Sequence, residues 1–363
     1  MAARKMARAG HILSYAQTLQ GGGVERVLLR LGRGWVEAGR RVTLVIGVPE
    51  GPLAAELPPG IEVIALGSPA YRSLATSLPD RVRMLAPDVL FCAGSHYTGA
   101  ALWTRMRLGR SAPPIVGKVS NALDRADHGI AARLAHRSWL RLHPLFLDRI
   151  VAMTPASAVL AAQATGIPAE RLAVIPNPPT VPIPGAASVA LPAGRFLLGV
   201  GRLAPQKRWD RLIAALPRLR DTAVPLVIVG EGVLRRDLLA QAAALGVAHR
   251  LHLPGHAADP LPAMAQAAVV TLTSDFEGAP NVLREALSMG APVVTTDSAP
   301  AIAEIVHDPT LGTIVPRDDP DALVAALDRW LTPDAQRPAP QVPPGADSAQ
   351  RYLDLFDSVV RSA

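Results

Sequence analysis

The sequence is poor in the residues that would tie it to several classes of protein. It has a single cysteine, Cys92, at the end of the apolar run Val89-Leu90-Phe91. No intrachain disulfide can form and no multi-cysteine zinc site can be built, so the thiol reads as a buried structural one. Aromatic residues make up 4% of the chain. No basic stretch interleaves with them as in an RNA-recognition motif, which argues against nucleic acid as a partner. No apolar run approaches the ~20 residues that a spanning helix needs. The opening MAARKMARAGHILSYA is basic but has neither a long apolar centre nor a clear cleavage site. It reads as a short arm into a first strand and not as a signal peptide, so a cytoplasmic protein is expected. No repeat of ~20–50 residues recurs, which argues against a solenoid.

What the chain does have is length, proline and an uneven charge. Its 363 residues are long for one domain and comfortable for two. Residues 1–183 hold 21 Lys and Arg against 11 Asp and Glu; the remainder holds 16 against 19. A basic half beside a mildly acidic one suggests that the first half meets something anionic, although arginine can also serve solubility alone.

Short apolar runs alternate with helical periodicity throughout. In the first half, strands are expected near 10–15, 42–46, 61–66, 89–92, 114–119, 149–153 and 172–175. Helices are expected over 24–38, 73–85 with a kink at Pro79, 98–107, 130–142 and 155–165. The stretch NPPTVPIPGAASVALPAG (177–194) blocks helix and central strand alike and marks the domain boundary. The alternation then restarts, with strands near 196–200, 225–229, 251–253, 269–272, 292–295 and 313–315. A second proline-rich linker, 332–347, precedes a last helix over 348–360. Two β/α alternations joined by a hinge predict an α/β protein of two Rossmann-like, doubly wound domains facing each other across a cleft. They are expected at 1–183 and 184–335, with 336–363 forming a linker and a helix that returns to the first domain.

Chemistry concentrates in SDFEGAPNVLREALSMGAPVVT (274–295). A strand feeds a polar loop holding Glu277, and the following helix carries Glu285. Loops at the carboxyl ends of parallel strands are where such sheets bind ligands. Two glutamates alone are more often a solvated helix charge and a helix-dipole partner. Here Gly278 permits close backbone approach, and Pro280 and Asn281 start the helix, exposing backbone N–H groups to an anion. Carboxylates so placed can favour developing positive charge on a sugar or accept hydrogen bonds from ribose. A second such loop begins Gly201-Arg202 and reaches Lys207. Two cations there suit a diphosphate, the arginine through paired N–H groups and the lysine as a point charge. No Asp-x-Asp pair for Mg²⁺ accompanies them, and Asp318-Asp319 reads as a helix start. Gly21-Gly22-Gly23 fails as a nicotinamide fingerprint. The third glycine would fall at Arg26, and the second strand ends Ile46-Gly47-Val48 without an acidic residue. It remains a loop where backbone can approach a phosphate or sugar, with Glu25 as a helix-dipole partner.

These segments together resemble a retaining glycosyltransferase of the GT-B fold, in family 4 (glycosyl transferases group 1), over nearly the whole chain. GVGRLAPQKRWDRLI is similar to the family's phosphate-binding segment, and SDFEGAPNVLREALSMGAPVVTTD to its Glu-seven-residues-Glu signature. GGGVERVLLRL, KVSNALDR, IVAMTPASA and VIPNPP add weaker likenesses. The resemblance implies catalytic roles for Glu277, Arg202 and Lys207, with both cations on the donor diphosphate. It implies that Glu285 contacts ribose and that Gly201, Gly278, Ala279, Pro280 and Asn281 adjoin the donor. Gly22 and Gly23 would line the cleft from the other domain. Neither a metal nor another cofactor is implied. The implied activity moves a hexose-type unit from a nucleotide diphosphate sugar, often UDP-linked, to a glycan or glycolipid. Many relatives have a histidine where this chain has Asn121, which becomes the acceptor-side candidate together with His96, while His128 is the other alternative. Relatives often have a glycine-rich turn where this chain has Pro300 and Ala301.

One stripe remains. Arg133, Arg137 and Arg141 recur every four residues of one helix, with Trp139 and several leucines close by. Such a helix either rests on an anionic membrane surface, placing the protein at the inner face, or simply solvates its arginines. The competing readings of the whole chain are a nucleotide-sugar epimerase or sugar phosphorylase of the same fold, a nucleotide- or RNA-binding regulator, and an inactive scaffold.

Overall fold

The computed structural model of the chain describes residues 8–123, 129–183, 185 and 189–360. The chain divides into two units, Met1–Pro178 with Pro344–Ala363, and Pro179–Pro343.

The first unit is built around a parallel sheet. Its elements run β1 (His11–Thr18), α1 (Gly23–Glu37), β2 (Arg41–Val48), β3 (Ile61–Ala65), α2 (Tyr71–Leu85), β4 (Val89–Cys92), α3 (Thr98–Leu108), β5 (Ile115–Lys118), α4 (Ile130–Phe146), β6 (Arg149–Ala152), α5 (Pro155–Thr165) and β7 (Leu172–Val174). The seven strands are ordered β3-β2-β1-β4-β5-β6-β7. Strands buried on both faces need apolar residues at every position, which is why Val89–Cys92 reads as an unbroken apolar run. The strand order reverses direction between β1 and β4, and doubly wound sheets bind ligands at that switch point.

The second unit repeats the plan with β8 (Leu197–Val200), α6 (Trp209–Ala215), β9 (Leu226–Val229), α7 (Arg235–Ala244), β10 (Leu251–Gly255), α8 (Leu261–Gln266), β11 (Val269–Leu272), α9 (Asn281–Ser288), β12 (Val293–Thr296), α10 (Pro300–Ile305), β13 (Gly312–Val315) and α11 (Pro320–Trp330). Its six parallel strands are ordered β10-β9-β8-β11-β12-β13, so the switch point lies between β8 and β11.

The final helix, α12 (Ser348–Val359), packs on the first unit. Trp35 of α1, Phe91 of β4 and Tyr352 and Phe356 of α12 meet edge-on or tilted, with ring centroids 5.2–6.0 Å apart. Such pairs add to the large apolar area that each ring removes from water. Arg40 makes a two-pronged bond to Asp357, at 3.0 and 2.7 Å, and Asp357 also accepts the Ala9 N–H at 2.7 Å.

Several boundaries differ from the sequence reading. The units divide at Pro178/Pro179 and not at 183/184. Within the second unit, Thr180 donates to Glu285 and the Ile183 N–H to Asp259, which fastens residues 179–183 there. Residues 336–343 also belong to the second unit, where the Gln341 N–H bonds the Leu287 carbonyl. β1 continues to Thr18 because its register against β2 holds as far as Thr18 opposite Val48. α4 runs past Pro144 to Phe146, whose ring is buried against Trp139 and His143.

Phe356→Ala is expected to lower stability by about 3–5 kcal/mol, the usual cost of deleting a buried ring. Tyr352→Phe should be neutral or stabilising, because the Tyr352 hydroxyl is buried with no hydrogen-bond partner among the described residues. Urea denaturation of both variants checks the pair.

Candidate functional site

In the second unit, the loops after β8 and β11 emerge side by side, because those strands are neighbours at the switch point. The first loop is shaped by glycine. A side chain at Gly230 would strike the Gly201 carbonyl at 2.0 Å, and one at Gly232 the Leu203 carbonyl at 2.4 Å. Gly230 and Gly232 therefore let the turn after β9 lie directly on residues 201–203. The Leu203 N–H then donates to the Glu231 carbonyl at 2.9 Å.

The two loops exchange bonds. The Asp275 N–H donates to the Gln206 carbonyl at 3.0 Å, and Gln206 Nε2 donates to the Phe276 carbonyl at 2.7 Å. The Thr273 hydroxyl lies 3.1 Å from the Lys207 carbonyl and 3.0 Å from that of Arg208. Arg208 adopts a left-handed backbone, φ 49°, which turns its guanidinium onto Asp210 and Asp275. Arg211 also pairs with Asp275, at 2.7 Å, and Arg317 donates to the Asp275 carbonyl.

Held in this frame, Lys207 Nζ reaches Glu277 Oε1 at 2.6 Å. The Ser274 hydroxyl donates to the same oxygen at 2.7 Å, and the Glu277 N–H donates to the Ser298 carbonyl at 3.0 Å. The lysine side chain is 15% exposed and the glutamate 9%. Ions so poorly hydrated are tolerated only when paired and hydrogen-bonded, and here both conditions are met. Arg202 is different. Its side chain is exposed and has no hydrogen-bond or ion-pair partner among the described residues, while its carbonyl accepts the Trp209 indole N–H at 3.0 Å. Gly278 and Asn281 are half-buried, and Ala279 and Pro280 are buried. Glu285 lies on α9, half-buried, and accepts the Thr180 hydroxyl. Asp319 caps α11 through the Ala322 N–H at 2.9 Å, and Asp318 pairs with Arg211. Among the described residues no cluster of three His, Cys, Asp or Glu could hold a metal ion.

In the first unit, Gly21-Gly22-Gly23 follows β1, and Ser95, His96 and Tyr97 follow β4 at the same switch point. The Ser95 N–H donates to the Ser120 hydroxyl oxygen at 3.0 Å and the Ser120 N–H returns to Ser95 at 3.1 Å, which joins the loops after β4 and β5. Asn121 turns its carbonyl oxygen onto the Ala122 N–H at 2.9 Å. The His96 ring stacks on Tyr97 with centroids 3.8 Å apart. The Tyr97 hydroxyl donates to Glu25 at 2.9 Å, so Glu25 has a specific partner besides its place in the first turn of α1. His128 lies outside the described residues. Pro300 begins α10, and its neighbour Ala301 is buried.

The two halves match two related family models. Residues 194–333 match "Glycosyl transferases group 1" and residues 21–178 match "Glycosyltransferase Family 4". The chain belongs to this glycosyltransferase family. A Campylobacter jejuni N-acetylgalactosamine-N,N'-diacetylbacillosaminyl-diphospho-undecaprenol 4-alpha-N-acetylgalactosaminyltransferase is 37% identical over 46% of the chain and 44% of its own length. A GDP-mannose-dependent alpha-(1-6)-phosphatidylinositol monomannoside mannosyltransferase of Mycolicibacterium smegmatis is 40% identical over 35% of the chain and 36% of its own. These alignments thus span less than half of either relative. Among solved structures, Anabaena HepE in complex with UDP and glucose superposes with a TM-score of 0.71 at 22% identity, covering 96% of both chains. WaaG, a glycosyltransferase involved in lipopolysaccharide biosynthesis, superposes at 0.65 with 21% identity over 96% of this chain and 97% of its own. The fold of this glycosyltransferase-family chain is therefore the two-domain α/β GT-B fold.

The residues that sequence reasoning passed over are the frame: Gln206, Arg208, Ser274, Asp275 and Ser298 in one unit, Ser95 and Tyr97 in the other. Polar residues flanking the predicted strand ends were the only available signal. Lys118 was also passed over. It ends β5, is 3% exposed and has no partner among the described residues, and burial pushes its ammonium down to about 7. The unfolded chain holds that proton to about pH 10.5. Below pH 7 folding therefore bears the full cost of burying the charge, and between pH 7 and 10.5 that cost is relieved as pH rises. Lys118→Met should be more stable than the parent at pH 7, by a margin that shrinks toward pH 10 in urea titrations. A margin independent of pH would refute the burial argument.

Proposed function

We propose that this chain is a retaining glycosyltransferase that moves a hexose-type unit from a nucleotide diphosphate sugar, UDP-linked, to a glycan or glycolipid acceptor without a metal. The observation that carries the reading is the Lys207–Glu277 pair, set at the switch point beside an exposed, uncommitted Arg202. Arg202 offers paired N–H donors to a diphosphate, and Lys207 adds a point charge while holding the Glu277 side chain in place. Glu277, with the backbone from Gly278 to Asn281, lies where positive charge on a sugar would be favoured. Glu285 would exchange the Thr180 hydroxyl for a ribose hydroxyl. In the transfer, the bond from the sugar's anomeric carbon to the diphosphate oxygen breaks. A bond to the acceptor oxygen forms on the same face, and the acceptor's proton passes to the leaving phosphate. Two of the relatives, the diphospho-undecaprenol and the phosphatidylinositol monomannoside transferases, act on lipid-linked substrates, which supports a glycolipid acceptor. UDP in the HepE structure supports the choice of nucleotide.

A panel of nucleotide sugars scored by thermal shift should single out the donor, since a ligand at about 100 times its Kd adds about 2.7 kcal/mol of stability. Arg202→Ala, which removes an exposed side chain, should weaken donor binding about 10-fold or more, in line with the ~1.5–3 kcal/mol of charged hydrogen bonds. An unchanged donor affinity would sink the diphosphate assignment. Product analysis with donor alone, with and without phosphate, separates transfer from epimerisation and phosphorolysis.

A glycolipid acceptor also calls for a membrane surface, and α4 supports one. Ile130, Leu134, Leu142 and Leu145 are 80%, 59%, 42% and 75% exposed on the helix that carries the exposed Arg137 and Arg141 and the half-buried Arg133. Leucines entering the headgroup boundary and arginines on anionic lipid, each worth about 1 kcal/mol, would hold α4 against a bilayer. Among the described residues no helix is long and apolar enough to cross one. In sedimentation with anionic vesicles, the triple alanine variant at Arg133, Arg137 and Arg141 should bind at least 10-fold more weakly than the parent; equal binding counts against the surface.

A further inference from the structure

The switch point of the first unit carries a second cluster of titratable groups, built from elements far apart in sequence. Glu25 stands in the first turn of α1, and His96 and Tyr97 follow β4. Tyr97 is a fixed donor. Its ring is 2% exposed, its hydroxyl oxygen accepts the Gln17 N–H at 3.0 Å, and its carbonyl accepts the Tyr15 hydroxyl at 3.1 Å. Burial, with the Glu25 charge next, pushes the Tyr97 phenol well above its ordinary value, so it keeps the proton that it gives to Glu25 Oε1 at 2.9 Å. That bond takes one of the two lone pairs of Oε1 and sets the orientation of the carboxylate. The other oxygen, Oε2, accepts no hydrogen bond among the described residues. It lies over the glycine loop, where a Cβ at Gly22 would come within 2.3 Å of it. A Cβ at Gly23 would meet nothing within 4 Å. His96 is half exposed, with Nε2 3.9 Å from Glu25 Oε1. That gap is too long for a hydrogen bond and is spanned by one hydroxyl oxygen at ordinary distances from both.

We infer that Glu25 and His96 form a sugar subsite in the first unit, which takes a pyranose through a pair of adjacent hydroxyls, one on Glu25 Oε2 and one bridging Glu25 and His96. A carboxylate accepts from two hydroxyls at once, and the glycine loop leaves room for a ring to approach. Tyr97 is a positioning residue that holds the carboxylate at the subsite. The inference shares with the proposed function the expectation of a sugar ligand, and the sugar can come from the donor or from the acceptor.

The test uses the full chain and saturation-transfer-difference NMR. One arm titrates methyl α-glucopyranoside, galactopyranoside and mannopyranoside; the other compares UDP-glucose with UDP. Glu25→Gln keeps the shape and the bond from Tyr97 but loses the charge. It should lower affinity at least 5-fold either for the methyl glycosides, which marks an acceptor sugar, or for UDP-glucose with UDP unchanged, which marks the donor sugar. His96→Ala should reduce the same arm by a smaller factor. If Glu25→Gln does not fold, Glu25→Asp, which withdraws the carboxylate by one methylene, is read in the same way. The inference is overturned if neither arm responds. It is equally overturned if the parent protein binds no glycoside and does not distinguish UDP-glucose from UDP. Glycoside binding that depends on Glu25 in a chain that binds no UDP would leave this subsite standing and remove the nucleotide-donor reading.

Discussion

The second unit is organised around one buried charge pair. Lys207 and Glu277 meet at 2.6 Å with little access to water. An ion in that position is stable only if its partner and its remaining hydrogen bonds are fixed, since losing either leaves an uncompensated charge. Much of the surrounding architecture serves that requirement. Ser274 adds a bond to the glutamate oxygen, and the Gln206–Asp275–Phe276 exchange sets the spacing of the two loops. Arg208 accepts a left-handed backbone, rare for a residue with a side chain, so that it can reach Asp275. Glycines 230 and 232 clear the space in which the first loop lies.

The first unit meets a related problem with a milder solution. Its switch point also receives a glycine loop on one side and a strand-end loop on the other. The carboxylate there is held by a neutral phenol instead of a cation. A neutral donor fixes orientation while leaving the second oxygen free to accept, whereas the Lys207 ion pair draws Glu277 into a closed network. The two sheets therefore present different chemistry from similar topology. One site is rich in cations and suits a diphosphate; the other offers a carboxylate and an imidazole, which suit hydroxyls.

How much of this could be read from sequence follows from the range of each interaction. Strand and helix existence was legible because burial on both faces imposes apolar runs, and amphipathic faces impose a 3.6-residue period. Ends were less so: Gln17 and Thr18 look like loop residues yet complete β1, because pairing with β2 fixes them. Glu277, Glu285, Arg202 and Lys207 could be singled out because they sit in recognisable segments. Their partners could not. Glu285 meets Thr180 from a proline-rich stretch 105 residues away, and Glu25, read locally as a helix-dipole partner, meets Tyr97 at a separation of 72. No local pattern encodes contacts of that range.

The uneven charge of the sequence also acquires a physical meaning. In the second unit the basic residues are largely spent internally, with Arg208, Arg211, Arg218, Arg235 and Arg317 each paired with a carboxylate. In the first unit Arg26, Arg40, Arg41 and Arg105 are paired in the same way. Arg137 and Arg141 on α4 form no ion pair among the described residues and stand beside exposed leucines. A solvated arginine face needs no apolar neighbours, and an apolar face meant for the core would be buried. Exposed leucines are costly in water while hydrated arginines are not, and the two side by side on one helix are what the proposed contact with an anionic bilayer would use. The bilayer contact proposed for α4 would give part of the basic excess of the first half a use beyond solubility.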